Sequence, residues 1–152
     1  NGVKVQHLSQ FLAERLDMAS MTALNDIGPV TFHDPCDLGR AQGIYDEPRK
    51  LLSSALSSPV VEMARSRSNS ACCGSGSGVK SAYSDLAKAI ALDRIGMAKA
   101  AGAKVIVTSC PWCEQNLKEC QGENAEVQVV DLAEIVERSQ GSRLKKSSRR
   151  SG

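Results

Sequence analysis

Cys72 and Cys73 stand side by side and run into Gly74-Ser75-Gly76-Ser77-Gly78, a loop of three alternating glycines. Neighbouring side chains on extended backbone point to opposite faces, so aiming both sulfurs at one target requires a sharp turn. Glycine permits that turn, because it accepts positive φ and lets backbone approach a ligand closely. A vicinal disulfide is strained: adjacent Cα atoms lie about 3.8 Å apart, whereas relaxed disulfides prefer roughly 4.4–6.8 Å. Three further cysteines complete the pattern C-x35-C-C-x36-C-x2-C, namely Cys36 and the Cys110-Pro111-Trp112-Cys113 motif. Three chemistries suit these thiols. The C-x-x-C pair alone reads as a dithiol redox centre at a helix start, where the helix dipole lowers a thiol pKa. Four thiolates hold a structural zinc ion, which leaves the fifth idle. An iron–sulfur cluster employs the most of them; ordinary cubanes take four cysteines, so five point to an irregular cluster or an exchangeable ligand.

The elements that must position these residues follow from periodicity. Val5, Leu8, Leu12 and Leu16 recur at helical spacing and predict a helix over residues 4–18, with His7 on its surface. Strands are predicted at Val30-Thr31-Phe32-His33, Val60-Val61-Glu62-Met63, Lys104-Val105-Ile106-Val107-Thr108 and Val127-Gln128-Val129-Val130. Between them fall a helix with Asp46 as N-cap and Pro48 in its first turn, ended by Pro59, and a long helix over 79–102 closed by Gly102. A helix from Pro111 to about Cys120 follows, and one capped by Asp131 runs to about Arg138. Val79, Tyr83, Leu86, Ile90 and Met97 define the long helix, and small Ala87, Ala91, Ala98 and Ala101, filling the same side, suggest that it packs closely on a sheet. After the first helix the order is β-α-β-α-β-α-β-α, which predicts an α/β fold with a four-stranded parallel sheet and flanking helices. Cys36, Cys72-Cys73 and Cys110-Cys113 then follow successive strands. Their loops share the carboxyl edge, where open α/β sheets bind ligands.

Composition narrows the class. A chain of 152 residues is one domain by length and buries roughly 70% of its unfolded surface. No apolar run reaches the ~18 residues of a membrane span, and no signal peptide is visible, so the cysteines read as metal-binding or catalytic in a cytoplasmic setting. The natural start is expected to lie upstream of Asn1. Net charge is +2, but residues 141–152 alone carry +5, which leaves −3 on residues 1–140. That balance argues against a nucleic-acid surface on the domain, and the Ser, Gly, Lys and Arg of 141–152 predict a disordered basic tail.

Several polar residues admit two readings. His33 can donate a proton to a substrate sulfur or serve as a hydrogen-bonded structural histidine. Arg40 and Arg49 can recognise an anionic substrate or pair with nearby acids. Trp112 shields the site or meets a partner domain. Cys120 lies two helical turns beyond Cys113, about 10 Å along the axis, and is read as a helix cysteine outside the site.

Taken together, His33-Asp34-Pro35-Cys36-Asp37-Leu38-Gly39-Arg40, Gly43-Ile44-Tyr45-Asp46-Glu47-Pro48-Arg49, Cys72-Cys73-Gly74-Ser75-Gly76 and Cys110-Pro111-Trp112-Cys113 resemble the CCG cysteine-rich domain family. That family includes the B-type and D-type components of heterodisulfide reductase, iron–sulfur components of glycolate and lactate oxidases, and a component of a succinate:quinone reductase. The match covers about residues 3–138, and the Asp-Leu-Gly-Arg and Tyr-Asp-Glu-Pro-Arg pieces are most similar to the D-type branch. The resemblance implies a noncubane [4Fe-4S] cluster on Cys36, Cys72, Cys73, Cys110 and Cys113, with Gly74 and Gly76 at the cofactor; some motifs of the family hold zinc instead. It further implies electron transfer to or from a disulfide, a quinone or a sulfur carrier, within a redox complex whose other subunits are the partners. A location in the cytoplasm, or at the cytoplasmic face of a membrane complex, follows. D-type members usually carry a ferredoxin-like part and an earlier cysteine-rich repeat, so this chain looks like the second repeat alone.

Overall fold

The computed structural model describes residues 2–147. Three parallel strands form its sheet: β1 (Val30–Phe32), β2 (Val105–Thr108) and β3 (Gln128–Asp131), in the order β1-β2-β3. Val30, Thr31 and Phe32 lie opposite Val105, Ile106 and Val107, and Val105 to Thr108 lie opposite Gln128 to Asp131. All four residues of β2 are buried, as expected of a central strand covered on both faces.

Side-chain alternation sorts the sheet into two cores. Val30, Phe32, Val105, Val107 and Val130 face one way, against Leu51, Leu52 and Ala55 of α2 (Asp46–Ala55) and Ile135 and Val136 of α6 (Leu132–Ser147). Ile106 and Val129 face the other way, with Ala91, Ile95 and Ala98 of α4 (Ser84–Ala100) and Cys113 and Leu117 of α5 (Pro111–Gln121). The first helix, α1 (Leu8–Arg15), packs on α2.

The expected fourth strand is not formed. Residues 60–63 run extended beside β1, with Val60 turned to the first core and Val61 and Met63 to the second. Only the Val61 N–H reaches Val30 O, at 2.8 Å, and Pro59 before it has no N–H to offer. The first helix is also shorter than expected. It begins at Leu8, with half-buried His7 as its cap: the Nδ1 of His7 accepts from Ser9 N–H, and its N–H donates to Gln10 Oε1. Val5 is exposed rather than part of an apolar face. Tyr45, not Asp46, precedes α2, so Asp46 is its first residue. Residues 79–102 divide into α3 (Val79–Ala82) and α4, interrupted at Tyr83. Tyr83 and Leu86, expected on the packed side with the alanines, lie exposed, and Ala87, Ala91, Arg94, Ile95 and Ala98 form the buried face of α4. The last helix continues past Arg138 to Ser147, so the expected disordered stretch is helical in its first part, and residues 148–152 lie outside the described residues. No described helix is long and apolar enough to cross a membrane.

Candidate metal centre

Cys36 sits just beyond the end of β1, in a compact stretch closed by backbone bonds from Gly39 N–H to Pro35 O and from Ala41 N–H to Cys36 O. Cys110 follows β2 as the N-cap of α5, with Pro111 at the first helical position, where its missing N–H costs nothing. Cys113 lies one turn on and is buried. Cys72 and Cys73 arrive from an irregular segment and the short turn Arg67–Asn69 rather than from a strand. Buried Asn116 of α5 holds that segment in place, its Nδ2 donating to Cys73 O at 2.8 Å.

Cys36, Cys73, Cys110 and Cys113 line one cleft of about 400 Å³, together with Trp112, Asp37, Lys80, Ser81 and residues 75–78. All are free thiols. Cys72 is exposed and does not line this cleft; its Sγ accepts from Gly74 N–H at 3.3 Å. Cys120 takes no part in the cleft wall; its Sγ lies 3.8 Å from Asn116 Oδ1. Trp112 is 64% exposed at the rim. A second hollow shares Asp37 and Cys110 with the cleft and is walled by Leu38, Ile44 and Pro111.

Gly74 has φ +86°, and a Cβ there would lie 2.5 Å from Ala87 O, so both conformation and space demand glycine. Gly76 lines the cleft but has an ordinary φ and open space around it, and Gly78 has φ +79°.

The electrostatics single out Cys73. Hydrogen bonding from the Cys113 thiol, then from Cys72, then from His33 and the Ser75 N–H, holds its pKa far below the ordinary thiol value despite burial. Cys113, between Cys110 and Cys73, is correspondingly held as a thiol by these two neighbours and by burial. Cys110 is lowered to about 6, chiefly by the Cys113 thiol and then by the free N–H groups of Cys113 and Trp112 at the start of α5. Ligand atoms of His33, Cys73 and Cys113 lie within 4.8 Å of one another, a buried set of donors for a metal. Ser75, in the cleft wall, has a buried hydroxyl without a hydrogen-bond partner among the described residues. A polar atom left orphaned there fits a site built to hold an additional group.

Arg49, expected either to meet substrate or to pair with acids, does the latter. It donates to both oxygens of Asp34 at 2.7 and 3.0 Å and to both of Glu62 at 2.6 and 2.9 Å. Arg40 donates to Ser70 O. Two residues at the site escape a reading by motif, Arg94 and Asn116. The available signal is placement: Arg94 falls on the alanine face of α4, three residues after Ala91 and four before Ala98.

A family model described as a cysteine-rich domain, CCG, matches residues 30–118. The D component of dihydromethanophenazine:CoB–CoM heterodisulfide reductase from Methanosarcina barkeri is 35% identical over 140 residues, 91% of this chain and 34% of its own length. The B component of the CoM/CoB fumarate reductase from Methanothermobacter marburgensis is 34% identical over 137 residues, 89% of this chain and 27% of its own. A probable iron–sulfur-binding oxidoreductase of Bacillus subtilis is 33% identical over 140 residues, 90% of this chain and 20% of its own. The chain spans about a third or less of the length of these relatives. With the matched region enclosing the sheet's first two strands and all five motif cysteines, the chain belongs to the CCG cysteine-rich domain family.

Proposed function

We propose that this domain is an iron–sulfur redox module of a multi-subunit reductase similar to heterodisulfide reductase. The observation that carries the reading is the gathering of four thiols from three loops in one cleft, with Cys72 beside them as a fifth. Cys36, Cys72, Cys73, Cys110 and Cys113 are the ligand set. Five thiolates exceed a cubane's need and support a noncubane [4Fe-4S] cluster. When bound, such a cluster supplies one-electron transfer. The chain's own residues shape its setting: Gly74 and Ser75 present N–H groups to Cys72 and Cys73, and the two cores hold the loops that carry the thiols. The electrons pass to or from a disulfide, a quinone or a sulfur carrier, with the neighbouring subunits as partners.

Two observations favour other chemistries. The His33, Cys73 and Cys113 group is compact enough for a single zinc ion in a structural or docking module. The asymmetry between a lowered Cys110 and a buried Cys113 thiol is that of a C-x-x-C redox pair. Metal and sulfide analysis of anaerobically purified protein, with an absorption spectrum, separates the three. Iron, sulfide and broad visible absorption are expected. One zinc in a colourless protein would establish the second reading, and a metal-free titratable dithiol the third. Cys120→Ser is expected to keep full iron content, whereas Cys73→Ser loses or converts the cluster; an unchanged spectrum in Cys73→Ser would remove the five-thiolate argument.

A further inference from the structure

Arg94 is the largest fully buried side chain, with no exposed surface. Its donors are satisfied by neutral groups. Nε donates to His33 Nδ1 at 2.9 Å, Nη1 to Arg65 O at 2.7 Å, and Nη2 to Ser70 Oγ at 3.2 Å. No carboxylate pairs with it among the described residues. Asp34 is near enough to act on it electrostatically, but both oxygens of Asp34 are taken by Arg49 and one also by the Arg67 N–H. Burial lowers the Arg94 pKa to about 10, which leaves the guanidinium charged at neutral pH. A buried charge with satisfied hydrogen bonds and no counterion is costly unless negative charge lies close by. Asp34 and Asp93 act on it from longer range, and the thiol site, whose Cys113 is close enough to act on Arg94 when ionised, is where further negative charge would arise.

His33 connects the two. Alternation along β1 turns Val30 and Phe32 toward α2, and so turns Thr31 and His33 toward α4. A guanidinium can only donate, so Nδ1 of His33 must be the unprotonated nitrogen and Nε2 must carry the proton. A ring nitrogen of His33 lies within 4.8 Å of the Cys73 and Cys113 sulfurs, and the imidazole favours the Cys73 thiolate. With Nδ1 occupied by the guanidinium, Nε2–H is the donor left to serve the sulfur. A histidine that ligates a metal ordinarily donates its other ring N–H to an acceptor; here the polarity is reversed.

We propose that Arg94 is a positioning residue that supplies the buried countercharge of the thiolate site and fixes His33 as an Nε2–H donor to Cys73, rather than as a metal ligand. The inference rests on the iron–sulfur reading for its redox consequence. A fixed cation and an N–H donor favour the more negative, reduced state and raise the reduction potential.

The test has two arms. In the first, 15N NMR of the imidazole in the metal-free parent chain at neutral pH shows Nε2 protonated and Nδ1 bare. An Nδ1–H ring or an imidazolium would overturn the proposal without reference to any cluster. In the second, the potential of the cluster is titrated in the parent, Arg94→Lys, Arg94→Gln and His33→Phe, with iron content measured on each. Arg94→Gln is expected to lower the ratio of reduced to oxidised cluster at a fixed poise at least tenfold, about 59 mV for one electron. Arg94→Lys, which keeps the charge, shifts it less, and His33→Phe shifts it in the same direction. Full iron with the parent's potential in both Arg94→Gln and His33→Phe would overturn the redox role. A parent chain without iron removes the iron–sulfur reading and with it the redox role, while the NMR arm still decides the hydrogen-bond polarity. If Arg94→Gln fails to fold, Arg94→Lys and His33→Phe decide the second arm.

Discussion

Arg49 and Arg94 bring the same guanidinium to the region around β1 and use it in opposite ways. Arg49 is held protonated by Glu62 and Asp34, which outweigh its burial, and its guanidinium lies 5.4 Å from the Phe32 ring centre. It ties the end of β1, helix α2 and the 60–63 segment together. Removing it strands Asp34, whose side chain is 2% exposed, so Arg49→Met is expected to cost about 3 kcal/mol in urea unfolding. Arg49→Lys should recover only part, because one ammonium cannot engage two carboxylates with parallel bonds. Gly74 supplies a second prediction at this scale. Gly74→Ala forces a side chain to positive φ, costing about 1–2 kcal/mol, and drives its Cβ into Ala87 O. Gly76→Ala meets nothing. Gly74→Ala should therefore lower the thermal midpoint and iron content while Gly76→Ala leaves both near the parent; equal behaviour of the two would show that the turn at Gly74 is dispensable.

Among the elements, α6 depends on one cap. Asp131 Oδ1 accepts from Ala133 N–H at 2.7 Å, and burial raises its pKa above the ordinary carboxylate value. The folded state therefore keeps a proton that the unfolded chain has already lost. Stability from this group is greatest below the unfolded pKa, falls as pH rises through the window between the two values, and is flat above it. Asp131→Asn keeps a capping oxygen without the charge, so it should remove that decline and be no less stable at neutral pH. Asp131→Ala should lose about 1 kcal/mol. Urea midpoints measured from acid to neutral pH check both, and a decline that persists unchanged in Asp131→Asn would assign it to another group.

At the scale of the molecule the two cores differ in what they rest on. The core of Phe32, Leu51, Leu52 and Ile135 contains no site residue. The other includes Cys73 and Cys113 themselves, packed with Met63, Ala91, Ile106 and Leu117. Loss of a bound metal should then loosen the α4 and α5 side while the sheet and the α2 and α6 side hold. Hydrogen exchange on metal-free protein is expected to be fast over residues 72–78 and slow over 105–107. Equal protection of the two stretches would mean that the loop is organised without a ligand.

What the sequence determined by itself are the features that local chemistry dictates. Proline at the first position of α5, the aspartate cap of α6, the continuous apolar run of β2 and the placement of Cys36 and Cys110 after strands all follow from backbone rules acting over a few residues. The parallel order followed because strands alternating with helices leave few alternatives. The tertiary structure decided the rest. Whether 60–63 became a strand depended on the neighbour's offering more than one ladder bond, which no property of Val60 or Val61 encodes. The face that α4 buries was set by how closely it approaches the sheet, which favoured alanines over Tyr83 and Leu86. Arg94 shows the same rule at its sharpest. A charged residue among alanines signals burial, but the acceptors that satisfy it come from residues 33, 65 and 70, and only folding brings those together.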